Sequence, residues 1–337
     1  MDITLISRSF QTHKQGMGTY SKFLYEGFKN ERDFNIKLIS QDDSFFQRDS
    51  ALDYLFYSLI EIPFKLKKID SSDIYHALSP IESFYLNSNK TIVTVLDLIP
   101  IKMPGLIQTS FQDKLIKLFF DKALKKSSKA KEIVSISEET AKYLTNQYNV
   151  DYDDLHIVRL PIDNKFSPKR INNELFTVGT ISHLQPRKRV DILIKSFLKA
   201  DIKNSQLLIG GKGPEYEYLK KLAKNDFRIK FLGFVSDDEM NEFYNSLDVF
   251  VFPTIMEGYG LPIVEAMACE KPIITLKDGD IPSDVKNKTF ISSKSNLSED
   301  LKNQSFCCDL KSNKEFAKEH SPKKIGKKMI KIYKSMT

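Results

Sequence analysis

Two carboxylates, Glu257 and Glu265, bracket a glycine turn and a helix start in the stretch Phe252-Pro-Thr-Ile-Met-Glu257-Gly-Tyr-Gly-Leu-Pro-Ile-Val-Glu265-Ala-Met-Ala. Apolar runs at 249–252 and 272–276 read as strands on either side. Pro262 suits a first helical position, where a missing N–H is no loss. The amides of Gly258, Tyr259, Gly260 and Leu261 then face a common space beside the positive end of the helix dipole, a place that suits a phosphate. Carboxylates are poor phosphate ligands, so the two acids are expected to accept hydrogen bonds from hydroxyl groups. A phosphate flanked on both sides by hydroxyl-rich groups is a nucleotide sugar, and the spacing implies a pocket for one.

A second constellation lies upstream. The run Val178-Gly179-Thr-Ile-Ser-His-Leu-Gln-Pro186-Arg187-Lys188-Arg189 is a post-strand loop with three consecutive cations. Arginine grips a diphosphate by its planar fork and lysine as a point charge; three exposed charges ahead of a helix is the plainer alternative. Ile209-Gly-Gly-Lys-Gly-Pro214 is another glycine-rich turn after a strand, weak by itself because glycine also serves ordinary tight turns. Asp151-x-Asp153 and Asp278-x-Asp280 have the spacing that holds a divalent ion against a diphosphate, but solvated turns explain both, and no His, Cys and carboxylate set has metal spacing. No metal site and no cofactor are expected.

These loops need a framework, and the chain supplies alternating strands and helices. Strands are expected at 3–6, 36–39, 73–76, 91–96 and 132–136, with helices at 19–28, 52–66, 111–124 and 137–148. The β-branched run at 91–96 has the form of a parallel strand covered on both faces. Residues 160–170, with two prolines and several turn formers, read as a linker. Beyond it strands at 175–179, 206–209 and 229–232 alternate with helices at 191–200, 216–223 and 237–246. The expectation is an α/β protein of two doubly wound, parallel-sheet domains facing a cleft: residues 1–168, residues 169–320, and a last helix at 321–337 packing back on the first domain. Ligands of such sheets bind beyond the carboxyl ends of the strands.

Composition fits an ordinary globular protein of 337 residues, 41% hydrophobic and 28% charged. No run approaches the roughly 18 apolar residues of a spanning helix, and the N-terminus begins as a strand without the charged head of a signal peptide. The expected location is the cytoplasm, with the inner face of the cell membrane as an extension of it. Cys269, Cys307 and Cys308 cannot all pair and are read as reduced thiols. The net charge of +7 is spread as scattered lysines, mostly solvated helix faces, with attraction to a negative surface as the functional alternative. The segment 111–131 joins an apolar stripe to a basic end; it reads as core packing or as docking on an anionic bilayer.

The order Val178-Gly179…Pro186-Arg187-Lys188, Gly211-x-Gly213-Pro214, Leu232-Gly233-Phe234-Val235 and Phe252-Pro-Thr…Glu257-Gly-Tyr-Gly-Leu-Pro…Glu265-Ala-Met-Ala resembles retaining glycosyltransferases of family 4, which have the GT-B fold of two Rossmann-like domains. The match spans residues 175–285. Weaker echoes are Gly16-Met-Gly18-Thr-Tyr20, Tyr75-His76-Ala, Val93-Thr-Val-Leu-Asp97-Leu-Ile-Pro100 and Val134-Ser-Ile-Ser137. The resemblance implies that Arg187 and Lys188 bind the donor diphosphate, that Glu257 accepts from the donor sugar, and that Glu265 accepts from the ribose. It places Asp97 with Arg187, Lys188 and Glu257 among the catalytic positions. It assigns backbone contacts to Gly258, Tyr259, Gly260 and Leu261, the base to Phe234 and Val235, and donor-loop positions to Gly16, Gly18 and Gly179. Gly16 and Gly18 would let a loop close over the diphosphate.

The implied activity is metal-independent transfer of a hexose, with retained configuration, from a UDP- or GDP-sugar to a saccharide or lipid-linked saccharide. Peripheral membrane contact is an implied accompaniment, and nucleic acid is not an expected partner. The family commonly has a histidine where this chain has Leu96; a changed sugar contact, replacement by His76 or His13, or a weakened enzyme are the readings this leaves, with His183 another cleft candidate. A nucleotide-sugar epimerase or phosphorylase of the same fold, or a non-catalytic basic binding protein, are the alternatives.

Overall fold

The structure is a computed structural model that describes residues 1–11, 15–44, 51–103 and 111–336. The chain divides into one unit of Met1–Ile162 with His320–Thr337 and another of Asp163–Glu319. The expected boundary lay after residue 168; in the structure Ile162 donates its amide to His320 O at 2.9 Å, so the chain leaves and re-enters the first unit at one point.

The first unit holds a six-stranded sheet in the order β2-β1-β3-β4-β5-β6: β1 Asp2–Ser7, β2 Asn35–Ser40, β3 Ile74–Ala77, β4 Thr91–Val95, β5 Glu132–Ser135 and β6 Leu155–Ile157. All neighbours run parallel. Side chains alternate across a strand. Val93, Val95, Ala77 and Ile133 join Tyr57, Phe120, Leu124 and Ala141 in one core cluster. From the helix Phe111–Ser127, Phe120, Ala123 and Leu124 join that core, while Leu118 is 50% exposed.

The opposite face carries His76 and Thr94, covered by the helices Gln15–Phe28 and Pro322–Ser335. These helices meet backbone to backbone: a Cβ on Gly27 would lie 2.3 Å from Pro322 O, and one on Gly326 would lie 2.2 Å from Gly27 O. Tyr333 reaches through so that its hydroxyl and His76 Nδ1 share a hydrogen bond at 2.7 Å, and His76 Nε2 meets Thr94 Oγ1 at 2.8 Å.

The second unit repeats the plan in the order β12-β11-β10-β7-β8-β9: β7 Phe176–Ile181, β8 Ser205–Gly210, β9 Ile229–Gly233, β10 Val249–Phe252, β11 Ile273–Leu276 and β12 Phe290–Ser292, again all parallel. Its core joins Val178, Leu207, Val249, Val251 and Ile274 to Leu193, Ile194 and Phe197 of the helix Val190–Ala200.

The three-residue edge strands β6 and β12 and the helices Leu297–Asn303 and Leu310–Lys318 were not anticipated. Strands this short show no alternation to read. The helix Gln15–Phe28 begins four residues before the expected start at 19, so Gly16 and Gly18 lie in its first turn rather than in a loop. Pro262 occupies the second position of the helix Leu261–Ala268, not the first.

Candidate functional site

The candidate site is built from loops at the carboxyl ends of β7, β8 and β10. Two of them abut so closely that side chains are excluded: a Cβ on Gly211, whose φ is +110°, would lie 1.8 Å from Ser182 O, and one on Gly213 would lie 2.4 Å from Leu184 O. The glycine turn after β8 thus holds the loop after β7 in place. That loop ends in a 3₁₀ turn, Pro186–Lys188, followed by Arg189 at φ 50°.

The loop after β10 closes against the same turn: Ile255 donates to Arg187 O at 2.8 Å. Farther along, Met256 and Asp280 form an isolated parallel bridge, with Glu257 N donating to Asp280 O at 2.9 Å.

This scaffold brings three expected residues together. Glu257 Oε1 accepts from Lys188 Nζ at 2.5 Å, from Thr254 Oγ1 at 2.6 Å and from Arg187 Nη1 at 3.0 Å. All three donors share one carboxylate oxygen; Oε2 accepts from none of the described residues. Arg187 Nη1 also donates to Met256 O at 2.8 Å, which leaves its Nη2 and Nε uncommitted to any described residue. Lys188 lies over the Phe252 ring, 4.8 Å from the centroid.

Burial pushes the Glu257 carboxyl up, but Lys188 and then Arg187 outweigh it, and the group sits below the usual glutamate range. Burial lowers the Lys188 ammonium against the opposing pull of Glu257. The cluster is an ionised set with an excess of one positive charge.

The amides of Gly258, Gly260 and Leu261 donate to no described residue, and they stand between Glu257 and the helix Leu261–Ala268. Open N–H groups at the start of a helix, beside two fixed cations, bind an anion or a hydroxyl oxygen. The side chain of Tyr259 is buried, its hydroxyl 3.5 Å from Asp284 Oδ2.

Glu265 belongs to a different group of charges. Tyr244 donates to its Oε2 at 2.7 Å, and Lys165, Asp237 and Asp163 are its charged surroundings. Burial, only partly offset by Tyr244, raises its carboxyl to about 7. At neutral pH it can both donate and accept.

The sequence model of the family described as Glycosyl transferases group 1 matches residues 161–334, more than half of the chain. The chain belongs to the group 1 glycosyl transferases. Among its relatives, O-antigen chain mannosyltransferase B of Escherichia coli is 25% identical over 183 residues, 49% of this chain and 48% of that protein. MMP alpha-(1->4)-mannosyltransferase of Mycolicibacterium hassiacum is 28% identical over 159 residues, 45% of this chain and 38% of that one. The matched stretch spans less than half the length of either relative.

Among solved structures, sucrose-phosphate synthase from Thermosynechococcus elongatus superposes with a TM-score of 0.78 at 15% identity, covering 100% of this chain and 99% of that one. HepE of Anabaena, solved with UDP and glucose, gives 0.71 at 16% identity, with 99% and 100% covered. The likeness is one of fold, the GT-B pair of Rossmann-like units.

Other expected residues of this glycosyl transferase fall elsewhere. Gly179 lies inside β7, not in the donor loop, and a Cβ there would lie 2.3 Å from Leu247 Cδ2; packing accounts for it. Val235 packs at the carboxyl end of β8, where a Cβ on Gly210 would lie 3.2 Å from Val235 Cγ2, while Phe234 is 60% exposed. Asp97 belongs to the first unit after β4; its Oδ1 accepts from Ile99 N at 3.1 Å, at the start of the short helix Ile99–Lys102. Gly16 and Gly18 belong to that unit as well, and a Cβ on Gly16 would have no described residue within 4 Å.

His76 does not replace the histidine missing at Leu96. It is fully buried, both ring nitrogens are bonded to Tyr333 and Thr94, and burial holds its imidazole neutral, down to about 3. His13 lies outside the described residues. His183 is partly exposed in the loop after β7, and burial lowers its pKa.

Neither aspartate pair is arranged as a metal clamp. Asp153 N donates to Asp151 Oδ1 in an exposed turn. Asp278 is bonded by Arg189 and paired with Lys294, each at 2.8 Å, which together hold its carboxyl at about 2.

Three participants escaped sequence reasoning. Thr254 supplies a hydroxyl to Glu257, and Tyr244 one to Glu265. Arg189 braces the loop after β10 from beneath, donating to Thr254 O and Asp278 at 2.8 Å each. Arg189 was visible as the third cation of the run, but nothing in the run distinguishes a brace from a ligand. Tyr244 sits in the short, largely polar helical run Met240–Asn245, where a tyrosine carries no signal.

Proposed function

We propose that this chain transfers a hexose from a UDP- or GDP-sugar to a saccharide or lipid-linked saccharide acceptor, with retention of anomeric configuration and without a metal ion. The observation that carries the reading is the pairing of two fixed cations with open amides in one loop cluster. Arg187 Nη2 and Nε and the remaining Lys188 donors face the demand of a diphosphate leaving group, and charge growing on that group as the glycosidic bond breaks is met by cations already in place. Glu257 Oε2 is available to a sugar hydroxyl because Oε1 alone holds the cations. Glu265, held by the Tyr244 hydroxyl, offers its carboxyl to the ribose, and Phe234 offers an exposed ring to the base.

The relatives' names support saccharide acceptors, and the UDP and glucose held by HepE support a nucleotide-sugar donor. On this reading the family pattern assigns Gly16, Gly18 and Asp97 of the first unit donor roles of their own. Leu96 then marks a changed sugar contact. Work on the inner face of the cell membrane follows if the acceptor is lipid-linked.

The test is product analysis. The chain is incubated with a nucleotide sugar and acceptor in the presence of EDTA, and the new linkage is read by NMR. An unchanged anomeric configuration is expected. An inverted product, or strict dependence on a divalent ion, contradicts the mechanism; conversion of the donor without acceptor, or only with free phosphate, points to an epimerase or phosphorylase.

A further inference from the structure

We propose that the outward face of the helix Pro322–Ser335, with the groove it forms against β6, is a docking surface for an anionic phospholipid bilayer. The helix reads Pro-Lys-Lys-Ile-Gly-Lys-Lys-Met-Ile-Lys-Ile-Tyr-Lys-Ser and contains no acid. Its apolar side is spent inside the first unit, where Ile325, Met329, Ile332 and Tyr333 are buried. All of its lysines are exposed. Lys334 pairs with Glu31 and Asp33 at 3.5 and 3.4 Å, but Lys323, Lys327, Lys328 and Lys331 make no ion pair with any described residue. Spaced three and four apart, they stand on neighbouring turns of one face. Holding like charges together costs free energy that no internal acid offsets, so the face is complementary to an external anion.

The groove narrows the choice of anion. It measures about 500 Å³; Leu155, Val158 and Ile332 are its buried apolar floor, and Lys328, Lys331 and the 59% exposed Tyr152 are its lips. An apolar trough rimmed by ammonium groups and a phenol matches the boundary between phosphate headgroups and acyl chains, where amphipathic aromatics and lysines sit. Nucleic acid or an acidic peptide would use the lysines and leave the apolar floor idle. Asp151, Asp153 and Asp154 share the turn that carries Tyr152, so the cationic character belongs to the helix side. His156, also lining the groove, is tied to Glu132 at 2.6 Å. The helix Phe111–Ser127, the candidate membrane element on sequence grounds, puts Phe120, Ala123 and Leu124 in the core and leaves Leu118 50% exposed, and its Lys125 is paired with Asp121.

The experiment is vesicle flotation of the full chain with phosphatidylcholine vesicles, with and without phosphatidylglycerol. Binding is expected only with phosphatidylglycerol and is expected to fall as salt screens the charges. Combined Lys323→Gln, Lys327→Gln, Lys328→Gln and Lys331→Gln should weaken partitioning roughly a hundredfold or more. An unchanged melting temperature and far-UV spectrum show that the variant is folded, since these side chains have no internal partner. Tyr152→Ser should weaken vesicle binding several-fold.

Binding that ignores phosphatidylglycerol, or survives the four substitutions, overturns the proposal. So does binding lost instead on replacing Lys114, Lys122 and Lys129. Equal affinity for duplex DNA and vesicles, with Tyr152→Ser silent in both, makes the face a general polyanion surface and also overturns it. None of these readouts involves sugar transfer, so the outcome stands apart from the fate of the proposed activity.

Discussion

Glu257 Oε1 carries three hydrogen bonds, and this decides what a substitution there reads out. Glu257→Ala strands Lys188, a buried ammonium, and breaking a buried pair costs about 3–5 kcal/mol; lost activity would then be confounded with lost structure. Glu257→Gln keeps an acceptor for Lys188 and Thr254 while removing the charge. It is expected to lower turnover about ten- to a hundredfold, the worth of a hydrogen bond to a charged group, with a smaller loss of melting temperature than Glu257→Ala because an acceptor remains for the buried ammonium. Normal turnover in steady-state assays would remove Glu257 from the site.

Glu265 gives a pH test at the same scale. Its folded value of about 7 lies above the ordinary 4.5. The folded chain therefore holds the extra proton between those values, and this contribution to stability is full at acid pH and declines as pH rises through about 7. Acceptance from ribose hydroxyls favours the carboxylate, so donor affinity should strengthen over the same interval. Urea titrations and donor binding measured from pH 5 to 8 should show opposite slopes, and Glu265→Gln should flatten both. A slope that persists in the variant assigns it to another group.

At the scale of elements, the contact between helices 15–28 and 322–335 depends on Gly27 and Gly326. A methyl group at either would lie within 2.4 Å of backbone, which cannot give as a side chain end can. Gly27→Ala should destabilise the chain by about 1–3 kcal/mol despite the better helix propensity of alanine. Gly16→Ala, on the same helix with no described residue within 4 Å of its Cβ, is the control and should be neutral or slightly stabilising. Equal chemical-denaturation midpoints for the two would contradict the close packing.

Much of this layer was legible in the sequence. The strands at 91–95 and 249–252 are continuous β-branched or aromatic runs, and Ser137, at the expected start of a helix, accepts from Thr140 N at 3.2 Å. The edges were not legible, because β6 and β12 have three residues each and owe their state to one neighbour. Long-range partnerships were equally hidden: His76 looked like a ligand candidate until Tyr333, far along the chain, supplied its second bond. Gly179 looked like part of a phosphate loop, yet Leu247 alone explains it. Local spacing reports which loops hold cations and open amides, whereas packing decides which glycines and histidines are structural.

For the whole molecule, family membership, paired parallel sheets and the cluster of Arg187, Lys188 and Glu257 support the proposal that the second unit grips a nucleotide sugar by its diphosphate. The last helix returns to cover one face of the first unit's sheet. The measurement that tests the account most directly is thermal unfolding with UDP-, GDP-, ADP- and TDP-sugars in EDTA, on the natural chain and on Lys188→Met. One of these donors, at about a hundred times its dissociation constant, should stabilise the natural chain by about 3 kcal/mol, with the gain largely lost in Lys188→Met. No stabilisation by any nucleotide sugar, or an equal gain in both proteins, would contradict it.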